Sequence, residues 1–409
     1  MRSLKIVFYF THKESLGHSS RVINIVQFLK RKYGGRASIT VFQAGKEQEF
    51  LNLPEDVSWV HLPNPFHSKR DFKRGRSRYC IPLSVVDRAR FMLGEIKRIK
   101  PDVFITEFFP FGREMSRFEL LPVIQYCKIR KTRILASIGY PYIVQDNLKL
   151  LKMYSDFYDA FLIHTPKDIE YRSLLRCINN PVLNSLYRKI FQYLKDKIYY
   201  TGYIVPLYLQ NKGSLKVSFK KQLGIDNKIL VLVSRGGGVI YPGIIVEAIY
   251  ISKFLSDKYF IIIIAGPSAS EKEFHLYKET IKRLGCKNIK LYRYLQEFPL
   301  LLKEADVSVS MCGYNTAVQL LYNGNKSVLI PSSVDPELAN GYCCEQLSRA
   351  QILKKYLRSK ILQYDSLKAP ILAKAIQNVY KRNITEDAVS RDWFNGGERT
   401  ADYIMKNAE

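Results

Sequence analysis

Apolar runs of strand length, each followed by a stretch with helical periodicity, recur along the whole chain, and this alternation constrains the fold more than any other feature. It is the mark of α/β units built around parallel sheets. In the first half the expected strands cover residues 4–10, 37–42, 57–62, 103–107, 133–138, 160–164 and 198–201, with helices at 20–32, 85–100 and 119–131 among the connections. Several runs are apolar throughout rather than at alternate positions, as happens where both faces of a sheet are covered.

After Thr201-Gly-Tyr-Ile-Val-Pro206 and a polar stretch at 210–214, the pattern begins again. Strands are expected at 229–234, 259–265, 289–292, 307–311 and 327–330, connected by helices near 243–255, 271–284, 298–304 and 314–322. A chain of 409 residues exceeds the size at which one core keeps growing. The reading is an α/β protein of two doubly wound, Rossmann-like parallel-sheet domains facing across a cleft. Residues 1–205 and 206–385 form the domains, and a C-terminal helix within 386–409 packs back toward the first.

Hydrophobic residues at 47% supply ample core and argue against wholesale disorder. No stretch approaches the roughly 20 apolar residues that span a bilayer. The apolar run behind Arg2 and Lys5 is too short for a signal-peptide core, so a cytoplasmic protein is expected. The 64 Lys and Arg against 37 Asp and Glu leave a net charge of +27, which favours phosphate-bearing ligands, nucleic acid or an anionic membrane face. The densest run, Lys69-Arg-Asp-Phe-Lys-Arg-Gly-Arg-Ser-Arg78, suits peripheral docking on the inner face of a membrane; a plain solvated loop is the alternative. It lacks the interleaved aromatics of a base-stacking platform beyond Phe72 and Tyr79, and no nucleic-acid recognition motif is present. The seven scattered cysteines have no Cys-x-x-Cys spacing, which points to free thiols rather than disulfides or a zinc site.

Ligands of doubly wound sheets bind outside the carboxyl ends of the strands. Three segments there carry chemistry. Directly after the first strand comes Ser15-Leu-Gly-His-Ser-Ser-Arg21, in which Gly17 allows close backbone approach and Ser19 or Ser20 can cap the helix that follows. His18 can serve there as a general base near neutral pH. Ser234-Arg-Gly-Gly-Gly238 exposes backbone amides at Gly236, Gly237 and Gly238 beside the guanidinium fork of Arg235, a combination suited to phosphate oxygens. Ser310-Met-Cys-Gly-Tyr-Asn-Thr316 turns at Gly313, and Tyr314, Asn315 and Thr316 begin a helix whose N-terminus can hold a further phosphate. Gln319 lies one turn on, and Glu345 and Gln346 open a later polar helix start.

The order of these segments resembles nucleotide-sugar glycosyltransferases of the GT-B fold, specifically the MurG-like group. The resemblance rests on Gly17-His18-x-x-Arg21, Gly236–Gly238, Gly313-Tyr-Asn-Thr316 and the stretch from Pro331 to Glu345-Gln346, together with Pro101-Asp102 and Phe109-Pro-Phe-Gly112. It implies a UDP-sugar on the second domain, with pyrophosphate near Gly236–Gly238 and Asn315–Thr316 and sugar hydroxyls at Glu345 and Gln346. It implies an acceptor on the first domain, lipid-linked or small, with Gly17, Ser19 and Arg21 on the acceptor-side loop. His18 would take the proton of the acceptor hydroxyl, oriented by Glu107. The implied reaction is an inverting hexosyl or N-acetylhexosaminyl transfer that needs neither metal nor cofactor. The chain departs from the family pattern at Gln319, where glutamate is common, at Cys312, and in lacking a glycine-rich opening loop. A nucleotide-sugar hydrolase or epimerase on the same fold, and a nucleic-acid-binding protein, are the alternatives.

Overall fold

The structure is a computed structural model and describes residues 2–11, 17–44, 54–62, 83–143, 148–167, 169–178, 180–210, 218–332, 344–383 and 389–407. The basic run 69–78 and Ser15 lie outside the described residues.

The first domain is a seven-stranded sheet of order β3-β2-β1-β4-β5-β6-β7. Its strands are β1 (Leu4–Thr11), β2 (Ala37–Ala44), β3 (Ser58–Leu62), β4 (Val103–Glu107), β5 (Arg133–Ile138), β6 (Ala160–Ile163) and β7 (Ile198–Tyr200). Every pairing is parallel. Helices α1 (Gly17–Tyr33), α2 (Leu83–Ile99), α3 (Arg117–Ile129), α4 (Leu148–Ser155), α5 (Ile169–Cys177) and α6 (Pro181–Tyr193) connect them. The continuous apolar runs are explained by two cores, one on each face. Val7, Tyr9 and Phe104 pack to one side, and Ile6, Phe8, Phe10 and Ile105 to the other.

The second domain repeats the plan with six parallel strands in the order β10-β9-β8-β11-β12-β13. These are β8 (Ile229–Ser234), β9 (Tyr259–Ile264), β10 (Ile289–Tyr292), β11 (Val307–Ser310), β12 (Ser327–Leu329) and the two-residue β13 (Lys360–Ile361). Helices α7 (Gly243–Tyr250), α8 (Glu271–Arg283), α9 (Phe298–Glu304), α10 (Tyr314–Asn323), α11 (Glu345–Leu357) and α12 (Ala369–Tyr380) cover both faces. In both sheets the order reverses beside the first strand of the domain, β1 and β8, which opens a crevice at the adjoining strand ends.

The last helix, α13 (Gly396–Lys406), returns to the first domain, where Ala401, Ile404 and Met405 join the core beneath α1. Two linkers run side by side to make that crossing. The Tyr203 N–H donates to the Trp393 carbonyl (2.6 Å), and the Gly396 N–H donates to the Tyr203 carbonyl (3.1 Å). Gly202 takes φ +90° at this point, a conformation that a side chain would strain. Among the described residues no helix is long and apolar enough to cross a membrane.

Candidate active site at the domain cleft

Helix α1 begins at Gly17, three residues before the expected start. Ser19 therefore lies inside the first turn, fully buried, rather than at a capping position. The earlier start has a chemical consequence. His18 and Arg21 are three residues apart on one helix and share a face, which aims both at the end of β4. There the Glu107 carboxylate receives them. His18 Nδ1 lies 3.0 Å from Glu107 Oε1, and Arg21 Nε donates to the same oxygen at 3.0 Å, with Arg21 Nη2 also paired to it. The other oxygen, Oε2, accepts from Ser137 Oγ at 2.6 Å. Gly139, just after β5, leaves the space that the Arg21 guanidinium occupies, and a Cβ there would collide with it.

Burial alone would raise the Glu107 pKa, but Arg21 and then His18 outweigh it and hold the carboxyl well below the usual range. For His18, burial is the largest influence and lowers the pKa, the Arg113 guanidinium lowers it further, and Glu107 only partly opposes them. Burial and Arg113 thus favour the neutral imidazole. An ionised carboxylate can only accept, so Nδ1 carries the proton toward Glu107 and Nε2 keeps its lone pair. The His18 side chain retains 17% of its surface against 1% for Glu107, so the imidazole is the reachable member of the pair. A neutral imidazole with a fixed tautomer, backed by a carboxylate, has the chemistry a general base requires.

The second domain meets this pair from across the cleft. Helix α10 starts behind Gly313, an N-cap that supplies no side-chain capping bond, so the first-turn N–H groups and the positive end of the dipole remain suited to an anion. Asn315 Nδ2 donates to the Gly17 carbonyl (3.3 Å), joining the starts of α10 and α1. Tyr314 is buried, with its hydroxyl on the His164 carbonyl (2.5 Å) and its ring 4.9 Å from the Arg21 guanidinium. Thr316 follows in the same turn.

The glycine-rich turn is real and tightly constrained. Gly236 and Gly238 take φ +67° and +86°. The turn interlocks with the one after β9, where Gly266 takes φ +97° and a Cβ would come within 2.5 Å of the Gly238 Cα. Ser268 N–H donates to the Gly237 carbonyl (3.0 Å), closing the two turns together. Arg235 departs from expectation. Its guanidinium is turned inward, with Nε on the Ala265 carbonyl (2.8 Å) and the fork 3.5 Å from Glu273, and the residue is 1% exposed. It clamps the two turns instead of presenting a fork to phosphate, because its buried charge requires a carboxylate and a carbonyl as partners. Cys312 is buried, which pushes its thiol up to about 12 and leaves it inert.

Residues 244–399 match the family model for the glycosyltransferase family 28 C-terminal domain. The greater part of the second domain is thus similar to a family 28 C-terminal domain. Among curated proteins, the chain is 23% identical over 189 residues to the UDP-N-acetylglucosamine--N-acetylmuramyl-(pentapeptide) pyrophosphoryl-undecaprenol N-acetylglucosamine transferase of Alkaliphilus oremlandii (strain OhILAs). That match covers 45% of this chain and 48% of the relative, so the chain spans about half the length of the curated relatives it matches. Among solved structures, MurG of Acinetobacter baumannii superposes with a TM-score of 0.54 at 11% identity, covering 98% of this chain and 99% of that one. The UDP-GlcNAc 2-epimerase of Methanocaldococcus jannaschii gives 0.59 at 11% identity, covering 99% of each. The whole chain shares the GT-B fold with these structures.

Within the matched residues 244–399, Gln319 is 6% exposed and its Oε1 has no hydrogen-bond partner among the described residues. Glu345 pairs with Arg349 (2.6 Å), and Gln346 Oε1 accepts from the Ser332 N–H (2.9 Å), so both carry structural bonds at the start of α11. Arg349, which the sequence reading passed over, is 2% exposed, donates to the Cys312 carbonyl (2.8 Å) and lies over the Tyr140 ring (4.7 Å). It ties α11 to the turn before α10 and to the first domain. Ser137, Gly139, His164 and Gly266 also escaped sequence reasoning. Only Gly266-Pro267, a turn signal at the end of a strand, offered a local clue.

Proposed function

We propose that the chain transfers a sugar from a nucleotide-sugar, with UDP-sugars as the donor class, to an acceptor hydroxyl. The observation that carries this reading is the His18–Glu107 pair set against the uncapped start of α10, with the two helix starts joined through Asn315 and Gly17. His18 Nε2 takes the hydroxyl proton, and the oxygen attacks the anomeric carbon. The bond to the diphosphate breaks on the opposite face, its charge received by the α10 N-terminus and the amides of Gly236–Gly238. Attack and departure from opposite faces invert the anomeric centre in one displacement. Arg235 acts by shaping the glycine turn. The unpartnered carbonyl of Gln319 is the acceptor we assign to a ribose hydroxyl.

The family 28 domain and the transferase name of the Alkaliphilus relative support N-acetylglucosaminyl transfer to a lipid-linked acceptor. With such an acceptor the protein would work at a membrane face, and the net charge of +27 favours an anionic one. Epimerisation is the second reading, favoured by the full-length likeness to a UDP-GlcNAc 2-epimerase. That likeness extends equally to a MurG, so it concerns the fold, and the family 28 domain favours the transferase.

Thermal denaturation with saturating UDP, GDP and dTDP tests the donor site. UDP at about 100 times its Kd adds about 2.7 kcal/mol, a rise of about 5 °C or more in Tm. GDP and dTDP are expected to give far less. The His18→Ala variant keeps the UDP shift, since His18 belongs to the acceptor side. No shift with any nucleotide contradicts the reading.

A further inference from the structure

We infer that Ser137 and His164 are positioning residues for the His18 base, the far half of a buried hydrogen-bonded row that runs across the ends of β4, β5 and β6. The row reads His18 Nδ1 to Glu107 Oε1 (3.0 Å), Glu107 Oε2 to Ser137 Oγ (2.6 Å), Ser137 Oγ to His164 Nε2 (2.9 Å) and His164 Nδ1 to Thr201 Oγ1 (2.9 Å). Glu107 and Ser137 are register partners in the parallel sheet, so their side chains leave the same face side by side. Glu107, Ser137, His164 and Thr201 are each 2% exposed or less, and no solvent competes for these bonds.

The carboxylate sets every proton in the row. It can only accept, so the single Ser137 hydroxyl proton points at Oε2. Ser137 must then accept from His164, which places that proton on Nε2 and leaves Nδ1 to accept from Thr201. Burial keeps His164 neutral, as this arrangement needs. The consequence lies at the other end. With Oε2 fixed by Ser137, the carboxylate cannot rotate about its bond, and Oε1 stays aimed at His18. The Nδ1–H tautomer of His18, and hence the lone pair on Nε2, depends on that aim. His164 also receives the Tyr314 hydroxyl on its backbone carbonyl, so the start of α10 docks on the residue that ends the row.

The kinetic consequence rests on the reading of His18 as the base; the tautomer does not. The test is long-range 1H–15N correlation of the histidine side chains in 15N-labelled protein, alongside turnover of a UDP-sugar. Wild type is expected to show His18 as Nδ1–H. In Ser137→Ala and in His164→Leu, His18 is expected to move to a mixture containing Nε2–H. In both variants kcat should fall about tenfold to a hundredfold with the donor KM little changed. Ser137→Thr, which keeps the hydroxyl, restores both readouts, and His164→Gln, which keeps an amide donor, restores them in part. An unchanged tautomer in both Ser137→Ala and His164→Leu overturns the inference, whether or not kcat falls. A shifted tautomer with unchanged kcat supports the row and counts against His18 as the base, so the two failures are told apart.

Discussion

The His18→Ala variant is expected to lose about 10²- to 10⁴-fold in kcat, the span typical of a general base, while its affinity for the nucleotide stays within about twofold of wild type. The separation follows from the architecture. His18 stands on α1 of the first domain with its Nδ1 committed to Glu107, whereas the groups proposed to hold the donor stand on the second domain. The pH dependence supplies a second check. With His18 as the proposed base, transfer requires the neutral imidazole, and the rate is expected to fall as pH drops through the pKa of His18. Burial first, and the Arg113 guanidinium next, place that pKa below 6.5. The acidic limb of kcat/KM therefore lies below pH 6.5 in wild type and is missing from the residual rate of His18→Ala. Steady-state kinetics between pH 4.5 and 8 would show both. A variant that keeps wild-type kcat removes His18 from the chemistry.

Replacing Glu107 carries the largest expected cost in stability. The carboxylate is 2% exposed and answers the Arg21 guanidinium, 4% exposed, together with His18 and Ser137. Glu107→Ala leaves a buried cation without its counter-charge, a loss of about 3–5 kcal/mol. In a domain of this size that amounts to a fall of about 6–20 °C in Tm. Because the damage comes from the stranded charge and not from the missing bonds alone, a paired Glu107→Leu and Arg21→Met variant should regain much of the loss while remaining inactive. Calorimetric unfolding of the single and double variants decides it. A loss under about 1 kcal/mol in Glu107→Ala would mean that the ion pair is far better solvated than its burial indicates.

How much of this was legible in the sequence depends on how local each signal was. The strands could be read because each is a short apolar run that packs on both faces, and candidate sites could be sought at strand ends because ligands of such sheets bind there. The start of α1 was less legible. Glycine at the first helical turn gives no propensity signal, and only the tertiary reach of His18 and Arg21 to Glu107 fixes it. Strand β13 has two residues, too few for any periodicity, and exists through its pairing with β12. Arg235 shows the limit of reading chemistry from residue type. Guanidinium beside glycines suits phosphate, yet whether the side chain turns outward or inward depends on Ala265 and Glu273, which lie 30 and 38 residues away. Ser137 and His164 could not be found at all by local pattern. They are single polar residues at the ends of apolar strands, and only the sheet order β4-β5-β6 brings them in line with Glu107.

The most direct test of the account is the fate of a UDP-sugar incubated with the protein, with and without an acceptor alcohol, followed by chromatography of nucleotide and sugar products. UDP release is expected to depend on the acceptor, in step with one glycoside formed per UDP and with inverted anomeric configuration. Equal UDP release without any acceptor, or conversion of the sugar with the nucleotide still attached, would contradict it.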